Sequence, residues 1–225
     1  MKKIILSTFA IVGFASMALA QKPTEGSASS LEVQLNLTGD VNTIVAPMLK
    51  YRYFLSSNMA IRFGLGLETS KVENKFAENA DGTGGTGTQL IKSMGWQVMP
   101  GFEYHFAGTE RLSPYLGLSI GIGGGKDTEE WTNFDGQAYD NGLTAKIESP
   151  YSMFGVGILA GADYYFAQNI FVGAEFGFLI ENITIKESTT TVSSGGTTNT
   201  FKTPETKVGG MGFGETAAIR VGWRF

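Results

Sequence analysis

Ala217-Ala-Ile-Arg-Val-Gly-Trp-Arg-Phe225 decides the fold. Its odd positions, Ala217, Ile219, Val221, Trp223 and Phe225, are apolar. Its even positions, Ala218, Arg220, Gly222 and Arg224, are small or cationic. A period of two is the mark of a β-strand with unlike faces. The apolar face carries its aromatic pair at one end only, as expected where a strand meets lipid and leaves it at an interface. The cationic face must then look into an enclosed interior. The segment Gly214 to Phe225 reads as the closing stave of a membrane barrel.

Seven further segments repeat this alternation. Leu31, Val33, Leu35 and Leu37 oppose Glu32, Gln34 and Asn36. In the segment 46–54, Leu49, Tyr51 and Tyr53 oppose Lys50 and Arg52. In 59–68, Ile61, Phe63, Leu65 and Leu67 oppose Arg62, Gly64, Gly66 and Glu68. The fourth segment, 93–106, sets Trp96, Val98, Phe102, Tyr104 and Phe106 against Gln97, Glu103 and His105. Pro100 lacks the N–H that a ladder needs, so a bulge is expected there. Segments 113–123, 151–166 and 170–180 follow the same rule, with Asp163 and Glu175 on the polar parity.

The connections alternate in length. Those near Ser57, Gly108 and Gln168 are tight. The opposite end has a short connection at Thr38–Thr43 and three long polar stretches, Thr69–Thr88, Gly124–Glu148 and Glu181–Lys207, read as loops. The fold class is therefore all-β: an eight-stranded antiparallel up-and-down transmembrane β-barrel with short periplasmic turns and long extracellular loops. The aromatics agree. Tyr53, Tyr104, Phe106, Tyr164, Phe166, Trp223 and Phe225 all face outward within a few residues of the tight-turn end, as an interfacial girdle would. A soluble, lipocalin-like barrel would turn its apolar residues inward and has no reason to collect aromatics at one height.

Residues 1–20 read as a cleaved signal peptide: Lys2 and Lys3, an apolar run from Ile4 to Phe14, and the small-x-small site Ala18-Leu-Ala20. Residues 21–30 read as a flexible leader and 31–225 as the outer-membrane barrel domain. Loss of the signal leaves 15 of the 17 cations against 21 acids, a net charge of −6, which disfavours nucleic acid. The absence of cysteine excludes lipid attachment at a thiol, disulfides and thiolate metal sites.

An eight-stranded barrel encloses a space that side chains fill. Arg52, Arg62, Glu103, Asp163, Glu175 and Arg220 point inward at similar heights and are expected to pair as a charge network across the lumen. The run Asp81-Gly-Thr-Gly-Gly-Thr-Gly87 lacks the Lys-Ser/Thr ending of a phosphate loop and no helical period follows it. Asp127, Glu129, Glu130, Asp135 and Asp140 crowd the second long stretch without the spacing of a calcium loop, so no metal site is assigned.

The signal peptide, the eight amphipathic strands, the long outer connections and the ending Arg220-Val-Gly-Trp-Arg-Phe225 resemble the small outer-membrane β-barrel family, to which outer membrane protein X and the membrane domain of outer membrane protein A belong. The resemblance covers nearly all of the mature chain and is one of pattern. It implies the outer membrane of a Gram-negative bacterium, with lipid and lipopolysaccharide as surroundings. It also implies the barrel-assembly machinery as a partner, which in that family reads a terminal aromatic; Phe225 matches, with Trp223 beside it on the same face. The expected role is a structural and surface-interaction protein, monomeric, with no cofactor and an unidentified extracellular ligand. The alternatives are a narrow channel for ions or small solutes, or a lipid A-modifying barrel enzyme. No catalysis is expected, because the single histidine, His105, lies at the tight-turn end and points inward, far from outer-leaflet lipid. Glu68 and Glu215 are carboxylates near the outer side that nothing marks as catalytic.

Overall fold

Strict alternation leaves each strand one face for apolar and one for polar surroundings, and only a closed ring gives the polar faces a common inside. The computed structural model describes residues 29–36, 48–213 and 217–225, and closes such a ring. Its strands are β1 (Ser29–Asn36), β2 (Met48–Phe54), β3 (Met59–Ala77), β4 (Thr86–His105), β5 (Leu112–Phe134), β6 (Tyr139–Ala167), β7 (Ile170–Ile185), β8 (Ser188–Ser194), β9 (Thr197–Thr203), β10 (Thr206–Phe213) and β11 (Ala218–Arg224). Each pairs antiparallel with the next from β1 to β7; β7 pairs with β11, and β11 pairs with β1. β10 lies along the outer half of β7, so β10 and β11 together make the eighth stave. Ser29 and Phe225 exchange backbone hydrogen bonds of 2.9 and 2.8 Å where the ring shuts. Closure leaves the staves no free edge at this level.

The ring is inside out relative to a soluble barrel. Leu118, Phe176 and Val221 are 59%, 55% and 52% exposed, whereas Glu103 and Arg220 are 0% exposed. These three aliphatic and aromatic side chains belong to the outer wall, not to a common centre.

The tight turns are held by local polar groups. Ser56 Oγ accepts from the Met59 and Asn58 N–H groups, and Asn58 Nδ2 donates to the His105 carbonyl at 3.1 Å. Asn169 takes a positive φ of 65° between β6 and β7, a conformation that asparagine tolerates.

Four details differ from expectation. The three stretches read as long loops are largely β-structure: β3 runs 19 residues and β5 runs 23, roughly twice what a ~10-residue crossing needs. The third stretch folds as β8 and β9, with β8 pairing to the outer part of β6 and β10 pairing to β7. Threonine, valine and isoleucine favour extended backbone even where the face is polar, so polarity is a poor sign of irregular structure here. Second, no bulge forms at Pro100. It pairs with Phe63, and the β4–β5 ladder passes over Met99 and Pro100 and resumes in the same register. Missing one donor therefore interrupts rungs without slipping the strand. Third, the strand irregularities fall elsewhere, between Thr132 and Phe134 and between Tyr165 and Ala167. Fourth, β1 begins at Ser29, so Ser29 and Ser30 belong to the barrel rather than to the leader. The signal peptide, the rest of the leader, the connection at Thr38–Thr43 and Glu215 lie outside the described residues.

Candidate functional site: the charged interior

Inward parity brings four cations and four anions to one level of the ring. Arg52 Nη1 donates to Glu103 Oε2 at 3.0 Å and to Asp163 Oδ2 at 2.8 Å, and Arg52 Nε contacts Glu32. Arg62 donates to Glu103 at 2.9 Å and to both oxygens of Glu175 at 2.8 and 3.0 Å. Arg220 donates to Glu32 at 2.7 Å and to Asp163 at 2.7 Å. Lys50 Nζ donates to Glu175 at 3.1 Å. Each carboxylate is thus shared by at least two cations, with Arg220 Nε also 4.0 Å from Glu175. Arg52, Glu32, Arg220 and Asp163 close a cycle, and Glu103, Arg62, Glu175 and Lys50 extend from it. All eight side chains are buried.

Backbone space makes this packing possible. A Cβ on Gly173 would sit 2.6 Å from Asp163 Oδ1 and 2.7 Å from Arg220 Nη2, and one on Gly101 would sit 2.9 Å from Arg62 Cγ. Glycine at these rungs lets guanidinium stems lie flat against the neighbouring strand.

The level of charge is bounded on both sides. Toward the tight turns stand Phe54, His105, Tyr165, Phe171 and Arg224, with Phe54 and His105 rings 5.3 Å apart and Arg224 stacked 3.8 Å over the Phe54 ring. Arg52 lies 5.1 Å over Phe171, and Arg220 lies 5.2 Å over Tyr115, so the arginines also meet aromatic faces. Tyr115 donates its hydroxyl to Glu175. On the other side come Met48, Leu159 and Leu179; Met48 Sδ and Leu179 Cδ1 lie against Gly64 and Gly157. An apolar lid on one side and an aromatic floor on the other remove water from the ion pairs, which strengthens them and raises the cost of breaking one.

All six residues expected in the interior, Arg52, Arg62, Glu103, Asp163, Glu175 and Arg220, meet at this level. Glu32 and Lys50 join them. Both were on the polar parity, so their facing was legible; what the sequence did not supply was the stagger that raises β1 and β2 to the same level. His105 is buried, with Nδ1 3.0 Å from Ser113 Oγ and Nε2 3.2 Å from Glu103 Oε2. A Ser–His–Glu chain therefore exists, but inside the floor, and Glu103 is already held by two arginines. Ser113 is itself buried.

Tyr53, Tyr104, Phe106, Tyr164, Trp223 and Phe225 are exposed and Phe166 half-buried, all near the tight-turn rim. Tyr104 and Phe106 pack edge to face at 5.3 Å, and Trp223 lies 4.8 Å from Phe225. The acids of the second long stretch are dispersed along a hairpin. Glu129 accepts from Gln89, Glu130 pairs with Lys92, and Asp135 caps its own turn. The turn carboxyl of Asp135 is held below its ordinary range by hydrogen bonds from the Ala138 and Gln137 backbone. Asp81 does the same in the glycine-rich turn, where Thr83 donates twice to it and Gly82 and Gly84 take positive φ.

A closed ring of eight antiparallel staves, aliphatic outside and ionic inside, defines an outer-membrane β-barrel protein. A family model described as the putative OmpA-OmpF-like porin family matches residues 34–184, and the chain belongs to that family. The match runs from β1 through nearly all of β7 and accords with the outer membrane as its location. No curated protein matched the chain at a significant level.

Proposed function

We propose that the barrel is a sealed anchor that holds long β-hairpins outside the cell. The observation that carries this reading is the buried level of four cations and four anions, each carboxylate shared between at least two partners and enclosed by apolar and aromatic layers. Paired, buried charge across the lumen supports a seal rather than a wide water path. Export by the signal peptide of a Gram-negative cell, insertion by the barrel-assembly machinery through the Trp223–Phe225 end, and a monomeric state belong to the same reading. Catalysis does not, because the His105–Ser113 pair is walled off from both leaflets. The extended hairpins are then the part that meets other molecules.

The family description contains the word porin, and conductance is the property that separates the two readings. Purified protein in a planar bilayer is expected to show no stable open level. Steps of porin size from the unaltered chain would overturn the seal. Labelled lipid A left intact after incubation is the expected result for the catalytic alternative.

A further inference from the structure

Beyond the Met48–Leu159–Leu179 lid, the inward face opens again into a cavity of about 520 Å³. Its walls are unlike each other. Glu68 of β3 and Asp127 of β5 supply two carboxylates; Met153, Ile183 and Ile185 supply an apolar side; Tyr151 of β6 lies between. The tyrosine position is built by two glycines. A Cβ on Gly125 would fall 2.6 Å from the Tyr151 hydroxyl, and one on Gly95 would fall 2.6 Å from the same atom. The side chain therefore lies across β5 and reaches β4, over bare backbone at Gly125 and Gly95, and lines the cavity. Gly95 pairs directly with Glu68, and Asp127 is two residues along β5 from Gly125. The hydroxyl end of the ring is thus flanked by the two acids.

Neither acid is ion-paired among the described residues, although neighbouring hairpin acids are: Glu130 with Lys92 and Glu148 with Lys126. The site also lies outside the apolar band. Tyr151 is 13 residues along β6 from the girdle residue Tyr164. At about 3.3 Å per residue and a tilt of about 40°, that is roughly 33 Å of height against an apolar band of about 25 Å.

Two carboxylates with no ion pair, beside an aromatic ring and an aliphatic wall on β6 and β7, match one ligand chemistry. We propose that this outer mouth binds small organic cations, with the ammonium between Glu68 and Asp127 on the face of Tyr151 and the hydrocarbon part against Met153, Ile183 and Ile185. The ammonium gains both ion pairing and attraction to the ring. A divalent metal fits worse: no three His, Cys, Asp or Glu side chains converge among the described residues, and calcium takes six to eight oxygens. The proposal holds whether or not the lumen conducts, so conductance and binding fail independently.

The test titrates benzyltrimethylammonium into the full barrel refolded in maltoside micelles, read by calorimetry. Saturable binding is expected, weaker by about tenfold or more in the double variant Glu68→Gln/Asp127→Asn and by about fivefold in Tyr151→Leu. The heat-modifiable gel shift confirms that each variant remains a barrel. A second measurement needs no variant: benzyl alcohol, with the same ring and no charge, is expected to bind the unaltered protein at least about tenfold more weakly. Absence of saturation, equal affinity for the neutral alcohol, or an affinity untouched by the double variant overturns the proposal. Displacement of the probe by calcium at equal concentration would reassign the mouth to divalent metal and overturn it as well.

Discussion

The molecule contains ion pairs of similar length in two settings. On the outer hairpins Lys92 meets Glu130 at 3.1 Å with the side chains 45% and 35% exposed. In the interior Arg52 meets Asp163 at 2.8 Å and Arg220 meets Glu32 at 2.7 Å with all four fully buried. Distance hardly separates them; solvent does. Outside, water and salt offset most of the attraction, and such pairs are worth about 0–1 kcal/mol. Inside, the ions have already lost their hydration, so each depends on its partners. The interior level is therefore brittle toward loss of one member, while the hairpins tolerate loss of any.

The largest effect is expected where one cation serves most anions. Arg52 touches Glu32, Glu103 and Asp163. Arg52→Met removes one of the cations from each of three buried carboxylates, leaving Glu32 and Asp163 to Arg220 and Glu103 to Arg62, and is expected to cost about 3–5 kcal/mol in urea unfolding of the refolded barrel. Lys92→Met, run in parallel, is expected to move the midpoint by less than about 0.5 kcal/mol. Equal shifts would erase the contrast between the two settings.

The outer wall offers the next effect in size. Leu118→Arg places a charge on the lipid face and is expected to cost about 2–4 kcal/mol in a bilayer. A soluble barrel would accept that arginine on its surface, so a neutral result would argue against lipid contact. Below it comes a change of one methyl. Gly173→Ala pushes a carbon against Asp163 and Arg220 and is expected to cost about 1–3 kcal/mol through overpacking. Gly210→Ala, on β10, meets nothing within 4 Å and serves as its outer counterpart. It is expected to be neutral in the same unfolding assay.

The parity rule made the barrel legible because lipid and lumen demand opposite residues on alternate positions, as Ile219, Val221 and Trp223 against Arg220, Gly222 and Arg224 show. It also faces the charged residues of the network inward. The level of Glu32 and Lys50 is not legible in the same way, because the vertical offset between neighbouring staves depends on register and tilt, which a single strand does not encode. The hairpin extensions are hard to read for a different reason. Outside the membrane the apolar face is no longer required, so stretches such as Ser188-Thr-Thr-Thr-Val-Ser-Ser194 lose the alternation while backbone pairing continues. The cavity above the lid was invisible too, since it depends on Tyr151 crossing two strands to lie over Gly125 and Gly95.

The smallest expected effect tests the outer setting directly. Glu148 contacts Lys126 and accepts from Lys146 at 3.2 Å. Hydrogen bonds from these two lysines, and then their charges, hold the Glu148 carboxyl below the ordinary value of 4.5. A carboxyl whose pKa is lower in the folded chain than in the unfolded one stabilises the fold above the unfolded value and loses that contribution as pH falls through the folded value. Acidification should therefore loosen the β5–β6 hairpin only at pH below 4.5, and only slightly, because the groups are solvated. Carbon-detected titration of Glu148 gives the midpoint, and amide exchange in the hairpin gives the loosening. Replacing both Lys126 and Lys146 by methionine should return the midpoint to the ordinary value while the barrel stays folded. A midpoint at or above 4.5 in the unaltered protein would remove the pairing. If amides beside Gly173 lost protection in step with the hairpin, the two settings would be one cooperative unit, and water rather than burial would have to explain why the interior charges hold.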